Sequence, residues 1–94
     1  TLNEEDFAKI ARIMLNELRD TMSEQSISLE YDDSVISYLT EKSYSVKYGA
    51  RNLRRTIQKD IEDRIAAELI ASYAHPVKRV GLTAVKGEIQ VLAV

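Results

Sequence analysis

Lys47, Arg51, Arg54, Arg55 and Lys59 fall in a stretch, 47–59, that holds no acidic side chain, within a chain whose formal net charge is -2. Arg51 and Arg54 lie in the first turns of a helix predicted to begin at Ala50, while Asp60, Glu62 and Asp63 come later. Cations at that end oppose the helix macrodipole by ~0.3 to 1 kcal/mol each. A local rule broken without local gain marks a candidate functional segment. The group that would compensate is an anion, on which the free N–H groups of the first turn and the basic side chains converge. Gly49, which lacks a Cβ, permits a tight entry to the helix or the close approach of a phosphate. On a wheel of about 100° per residue, Arg54 falls between Ile61 and Ile65 inside the apolar arc, and Arg51 at its edge beside Leu69. Both guanidinium groups are therefore expected to point toward whatever covers that face. The competing reading pairs Arg51 and Arg54 with the chain's own Asp32, Asp33 or Glu41 and leaves Arg55 and Lys59 solvated.

Other chemistry is sparse. The chain has no Cys and one histidine, His75, so thiol catalysis, Cys-based zinc sites and a histidine pair for a metal are excluded. Glu62 and Asp63 are adjacent on a helix and point apart, which argues against a paired acid/base site. A chain of 94 residues buries about 60 to 65% of its unfolded surface, enough for one core but not for a core and a deep cleft. Gly49, Gly81 and Gly87 cannot build a G-x-x-x-x-G-K-[ST] phosphate loop, so these residues are not expected to hydrolyse ATP unaided. No apolar run approaches the ~18 residues of a membrane span and no signal peptide opens the chain, so a soluble, cytoplasmic protein is expected. Because the sequence starts at Thr1 with an amphipathic pattern almost at once, it reads as a piece of something longer.

The elements that must position the basic segment follow from periodicity. Phe7, Ile10, Ala11, Met14, Leu15, Leu18 and Met22 take the spacing of one helical stripe, predicting a helix from Asn3, which caps it, to Met22. Ile27, Leu29 and Tyr31 alternate with polar residues and predict a strand over 27–31. Asp32 and Asp33 can cap a second helix that carries Val35, Ile36 and Leu39 inward and ends near Lys42 or Ser43. Residues 44–49 read as a loop. From Ala50, the residues Leu53, Ile57, Ile61, Ile65, Leu69 and Ile70 predict a long helix to about Tyr73. Val80, Leu82 and Ala84, a Lys86-Gly87 turn, and Ile89, Val91 and Ala93 predict a C-terminal hairpin. The expected fold is α+β, with three main helices packed on a small three-stranded sheet. The five tyrosines are expected at the rim, each ring packed and each hydroxyl wet.

Tyr48-Gly49-Ala50-Arg51-Asn52-Leu53-Arg54-Arg55-Thr56-Ile57-Gln58, followed by Ile61-Glu62-Asp63, resembles the Gly-Ala-Arg segment of the C-terminal small subdomain in Clp-type AAA+ unfoldases. The likeness is strongest to the ClpC, ClpE and ClpA branch and covers nearly the whole chain, with the same order of helices, strand and hairpin. ClpX-type unfoldases share a Gly-Ala-Arg segment, so the branch rests on the residues downstream. The family commonly has Gly-Tyr-Asp-Pro before the motif and Pro after its arginine, where this chain has Ser43-Tyr44-Ser45-Val46 and Asn52.

The resemblance implies that residues 1–94 are an AAA+ small, or lid, subdomain. It makes Arg51 the sensor-two arginine, reaching with Gly49 and Ala50 toward ATP that is bound, with its Mg2+, mainly by a preceding large subdomain. Arg54, Arg55 and Lys47 are candidate anion or subdomain contacts. The implied partners are the large subdomain, neighbouring subunits of a homo-hexameric ring, a Clp-type peptidase and substrate proteins, with neither nucleic acid nor membrane. Exposed apolar groups on the hairpin or the first helix are the candidates for the subunit contact. Two rivals use the basic patch 47–59 differently: a nucleic-acid-binding module, disfavoured by the net negative charge, and an adaptor that binds another protein.

Overall fold

The computed structural model describes residues 3–44, 51–72 and 74–94. The chain opens on helix α1, Glu4–Ser23, where Asn3 Oδ1 accepts the Asp6 N–H at 2.8 Å and Glu4, Glu5 and Asp6 place negative charge in the first turn. Its buried face is Phe7, Ala11, Leu15 and Met22. The helix stops in a left-handed turn at Ser26, φ 63°, where the Ile27 N–H reaches the Met22 carbonyl and the Ser26 N–H that of Ser23. Met22 and Ile27, on either side of this exit, are both buried in the core.

Strand β1, Ser28–Tyr31, leads to helix α2, Asp33–Ser43, which Asp32 caps by accepting the Ser34 N–H. A third helical run follows in three parts: α3, Leu53–Thr56; a π segment, Ile57–Glu62; and α4, Asp63–Ala71. Of the predicted loop at 44–49, Tyr44 follows α2 without regular structure; 45–49, the predicted start at Ala50 and Tyr73 lie outside the described residues, and α3 itself begins at Leu53 after a turn at Arg51 and Asn52. Strands β2, Arg79–Val85, and β3, Glu88–Ala93, form the hairpin. Lys86 and Gly87 sit at φ 52° and 75°, the two positive values that a tight turn matching strand twist demands.

The sheet order is β1-β2-β3. β1 pairs parallel with β2, Leu29 opposite Val80, because helices intervene between them, and β2 pairs antiparallel with β3, Leu82 opposite Val91. Leu29, Val80, Leu82 and Ile89 face the helices and are buried, whereas Glu30, Gly81 and Leu92 lie side by side across the outer face. The α+β architecture, the three helical runs and the hairpin agree with the periodicity.

The π segment does not follow from amphipathic periodicity alone, and it corrects the helical wheel. Leu53, Ile57, Ile61, Ile65 and Leu69 recur every fourth residue, which on a straight α-helix drifts by about 40° at each step. Bonds to the fifth residue, such as the Asp63 N–H to the Gln58 carbonyl, absorb about one surplus residue and turn the stripe back by about 100°. Leu53, Ile57, Ile61 and Ile65 are all buried as a result. Arg54, expected inside the apolar arc, is instead exposed, because the core stripe is centred on the Leu53 side of the helix.

Truncating Ile61 to Ala, at a fully buried position inside the π segment, is expected to cost about 2–5 kcal/mol in urea denaturation. The same change at Ile70, 74% exposed, is expected to stay within about 0.5 kcal/mol.

Candidate functional site

The basic segment occupies the start of the third helical run. Arg51 is exposed in the turn before Leu53. Asn52 follows as the cap, its carbonyl accepting both the Thr56 N–H and the Thr56 hydroxyl at 3.0 Å, while its side chain makes no capping bond. Arg54 lies beside Met14, Glu17, Leu18, Thr21, Ile57 and Glu62 in a groove between α1 and the π segment. Glu17 and Glu62 line the same groove, and no salt bridge from Arg54 to either is formed among the described residues. Arg55 and Lys59 are exposed. Lys47, Gly49 and Ala50 lie outside the described residues.

Two of the carboxylates considered as internal partners are engaged by other groups. Asp33 pairs with Arg12 at 3.0 Å on the surface. Asp32 accepts the Ser34 N–H, the Ser34 hydroxyl and, through its other oxygen at 2.7 Å, the Thr83 hydroxyl. Ser34 Oγ in turn accepts the Ala84 N–H at 2.8 Å. This closes a polar knot between the start of α2 and β2 just beyond Leu82, where β1 ends. The hydrogen bonds from Ser34, then from Thr83, hold the Asp32 carboxyl below its ordinary value of 3.8.

Tyr38 departs from the rim position expected of it. It is 8% exposed in the middle of α2, and its hydroxyl donates to Asp60 Oδ2 at 2.6 Å in the π segment. Burial first, then the bond to the Asp60 carboxylate, pushes the Tyr38 phenol up from 10.0 to about 12. Lys42 Nζ stands 5.8 Å from the centre of the same ring. Tyr31, half-buried, donates to Asn16 at 2.8 Å, and Arg64 donates to the Ile89 carbonyl of edge strand β3 at 2.7 Å. The signal that could have placed Tyr38 inside is its i+3 spacing from Val35 on a helix whose inward stripe was already assigned. The partnership with Asp60 has no local signal. His75 is an exposed turn residue whose N–H bonds the Ser72 carbonyl.

Residues 2–82 match the family model for the C-terminal, D2-small domain of ClpB protein. The chain is 37% identical over 90 residues to the chaperone protein ClpB of Rickettsia bellii, a match covering 96% of this chain and 10% of that protein. It is 39% identical over 70 residues to the chaperone protein ClpB of Corynebacterium efficiens, covering 74% of this chain and 8% of that protein. It is 33% identical over 88 residues to the negative regulator of genetic competence ClpC/MecB of Bacillus subtilis, covering 94% of this chain and 11% of that protein. The chain thus spans about a tenth of the length of these relatives. Among the described residues, no helix is long and apolar enough to cross a membrane.

The two shifted groups set opposite pH limits. Stability from Asp32 is expected to be present above about 3.8, its unfolded value, and to be lost as pH falls through its lowered folded value. Stability from Tyr38 is expected to be complete below about 10 and to be lost as pH rises from 10.0 toward about 12. Thermal melts across both limbs check this, with Tyr38→Phe flattening the alkaline limb and Asp32→Asn the acid one.

Proposed function

Because the chain belongs to the family of C-terminal, D2-small domains of ClpB protein, we propose that residues 1–94 are the small AAA+ subdomain of an ATP-dependent Clp-type unfoldase. The observation that carries the reading is that the matched span, 2–82, contains Gly49-Ala50-Arg51 at the entry to the third helical run, with Arg51 exposed there. A guanidinium suits phosphate because its planar fork presents paired donors to two oxygens and keeps its charge at every physiological pH. Arg51 is the sensor-two residue in this reading, Gly49 and Ala50 complete its Gly-Ala-Arg segment, and Lys47, Arg54 and Arg55 add positive potential or contact the large subdomain.

The donor set fits the outer part of a nucleotide site and not a whole one. Cations are available at one helix start, whereas a phosphate loop is absent from the sequence. ATP and its Mg2+ are accordingly held by a preceding large subdomain, and the chemistry they supply is phosphoryl transfer to water. The part of Arg51 is to stabilise negative charge on the phosphates and to tie closure of the small subdomain to their presence.

Ring assembly needs a face that docks on a neighbouring subunit. Val85, Leu92 and Val94 are the exposed large apolar residues of the hairpin and the residue after it, and Leu92 borders the open strip at Gly81, where nothing lies within 4 Å of a Cβ position. The outer face of the hairpin suits this docking better than α1, where Ile13 is the exposed large apolar residue among those described.

In the complete protein, Arg51→Ala is expected to lower ATP turnover by about tenfold or more, the worth of a hydrogen bond to a charged group, or to uncouple turnover from substrate unfolding. Steady-state ATPase and unfolding assays, with a melt to show an intact fold, check this. Unchanged turnover and unfolding would remove Arg51 from the mechanism, and a loss of melting temperature without any other defect would return it to an internal ion pair.

A further inference from the structure

The segment 47–59 lies wholly inside the loop of chain between Tyr38 and Asp60, and the hydroxyl-to-carboxylate bond of 2.6 Å joins the two ends of that loop. One end is α2, which stops at Ser43. The other is the π segment, which holds the surplus residue of the third helical run. We infer that Tyr38 is a positioning residue, its bond to Asp60 fixing where the turn that carries Arg51 stands relative to the rest of the fold. The inference rests on the proposed role of Arg51.

Two observations carry it. The apolar contacts of Leu53 and Ile57 hold the helix start down but are non-directional. A charge-assisted bond from a side chain that is 8% exposed is short and directional, and so limits both sliding and rotation. The π segment, for its part, is where the run can change its rotation: moving the surplus residue out of it would turn everything N-terminal by about 100° relative to Ile61 and Ile65. Asp60 sits inside that segment, so the Tyr38 bond anchors the place where such a change would begin. Phe7 meets Tyr44 edge-on at 5.5 Å and steadies the end of α2 from the α1 side, which leaves the Asp60 side as the one that Tyr38 must secure.

The test is a double-mutant cycle in the complete protein, read by ATPase kinetics. Tyr38→Phe is expected to lower turnover at saturating ATP on the order of tenfold, since small misplacements of an aligned group are amplified in rate. Asp60→Asn, which keeps an acceptor for the hydroxyl, is expected to retain most of the activity. In an Arg51→Ala background, Tyr38→Phe is expected to add no further loss, because a residue that acts through Arg51 has nothing left to position. Asp60→Ala runs the same cycle from the other partner and serves if Tyr38→Phe does not fold. If Arg51→Ala is itself silent, the sensor reading fails. If Arg51→Ala impairs turnover but Tyr38→Phe and Asp60→Ala do not, or their losses multiply with it, the positioning role is overturned and the bond is structural only.

Discussion

An apolar side chain at every fourth position cannot keep to one face of an α-helix, and in this protein Leu53, Ile57, Ile61, Ile65 and Leu69 follow that spacing across the element that runs beneath the sheet and beside α1 and α2. Two outcomes were open to the chain: to expose part of the stripe, or to wind locally with more residues per turn. Burial of a large aliphatic side chain contributes about 1.5–3 kcal/mol, so four such residues outweigh the poorer geometry of a few π-type bonds. The surplus residue sits at Ile57–Glu62. N-terminal of it, Leu53 is brought onto the core and Arg54 and Arg55 are left exposed in consequence.

The rest of the framework is fixed by polar bonds at the places where apolar packing thins out. Asp32, Ser34 and Thr83 tie the start of α2 to β2 where β1 no longer pairs with it. Arg64 covers a carbonyl on the free edge of β3, and Tyr31 joins β1 to α1 through Asn16. Tyr38 and Asp60 join α2 to the π segment. Together these bonds tie one element to another and leave Arg51, Arg54, Arg55 and Lys59 exposed.

That arrangement suits a part that completes a site made elsewhere. The chain offers cations at one helix start, an outer sheet face with exposed apolar residues and no phosphate loop. In the proposed reading the charges turn toward a nucleotide carried by the adjoining subdomain and the sheet face toward a neighbouring subunit. The same core then holds both surfaces in a fixed relation, which is what a lid needs if closure on the nucleotide is to be felt at the ring interface.

The elements and the family are legible in the residue pattern alone. Asn3 and Asp32 announce helix starts, Lys86-Gly87 a hairpin turn, and the two-residue and helical periods separate strands from helices, because these signals depend only on near neighbours. The 47–59 stretch is equally legible, as a cluster of cations at the predicted start of a helix, where the macrodipole disfavours them. The folded chain sets the way Arg54 faces, since a helical wheel assumes a uniform twist that packing against α2 and the sheet overrides. It also decided that Tyr38 is a buried donor rather than a rim tyrosine, because Asp60 reaches it only after the chain has folded back across 22 positions. Periodicity reports which side of an element is apolar; the rotation of that side, and the polar partners that lock it, depend on residues far along the chain.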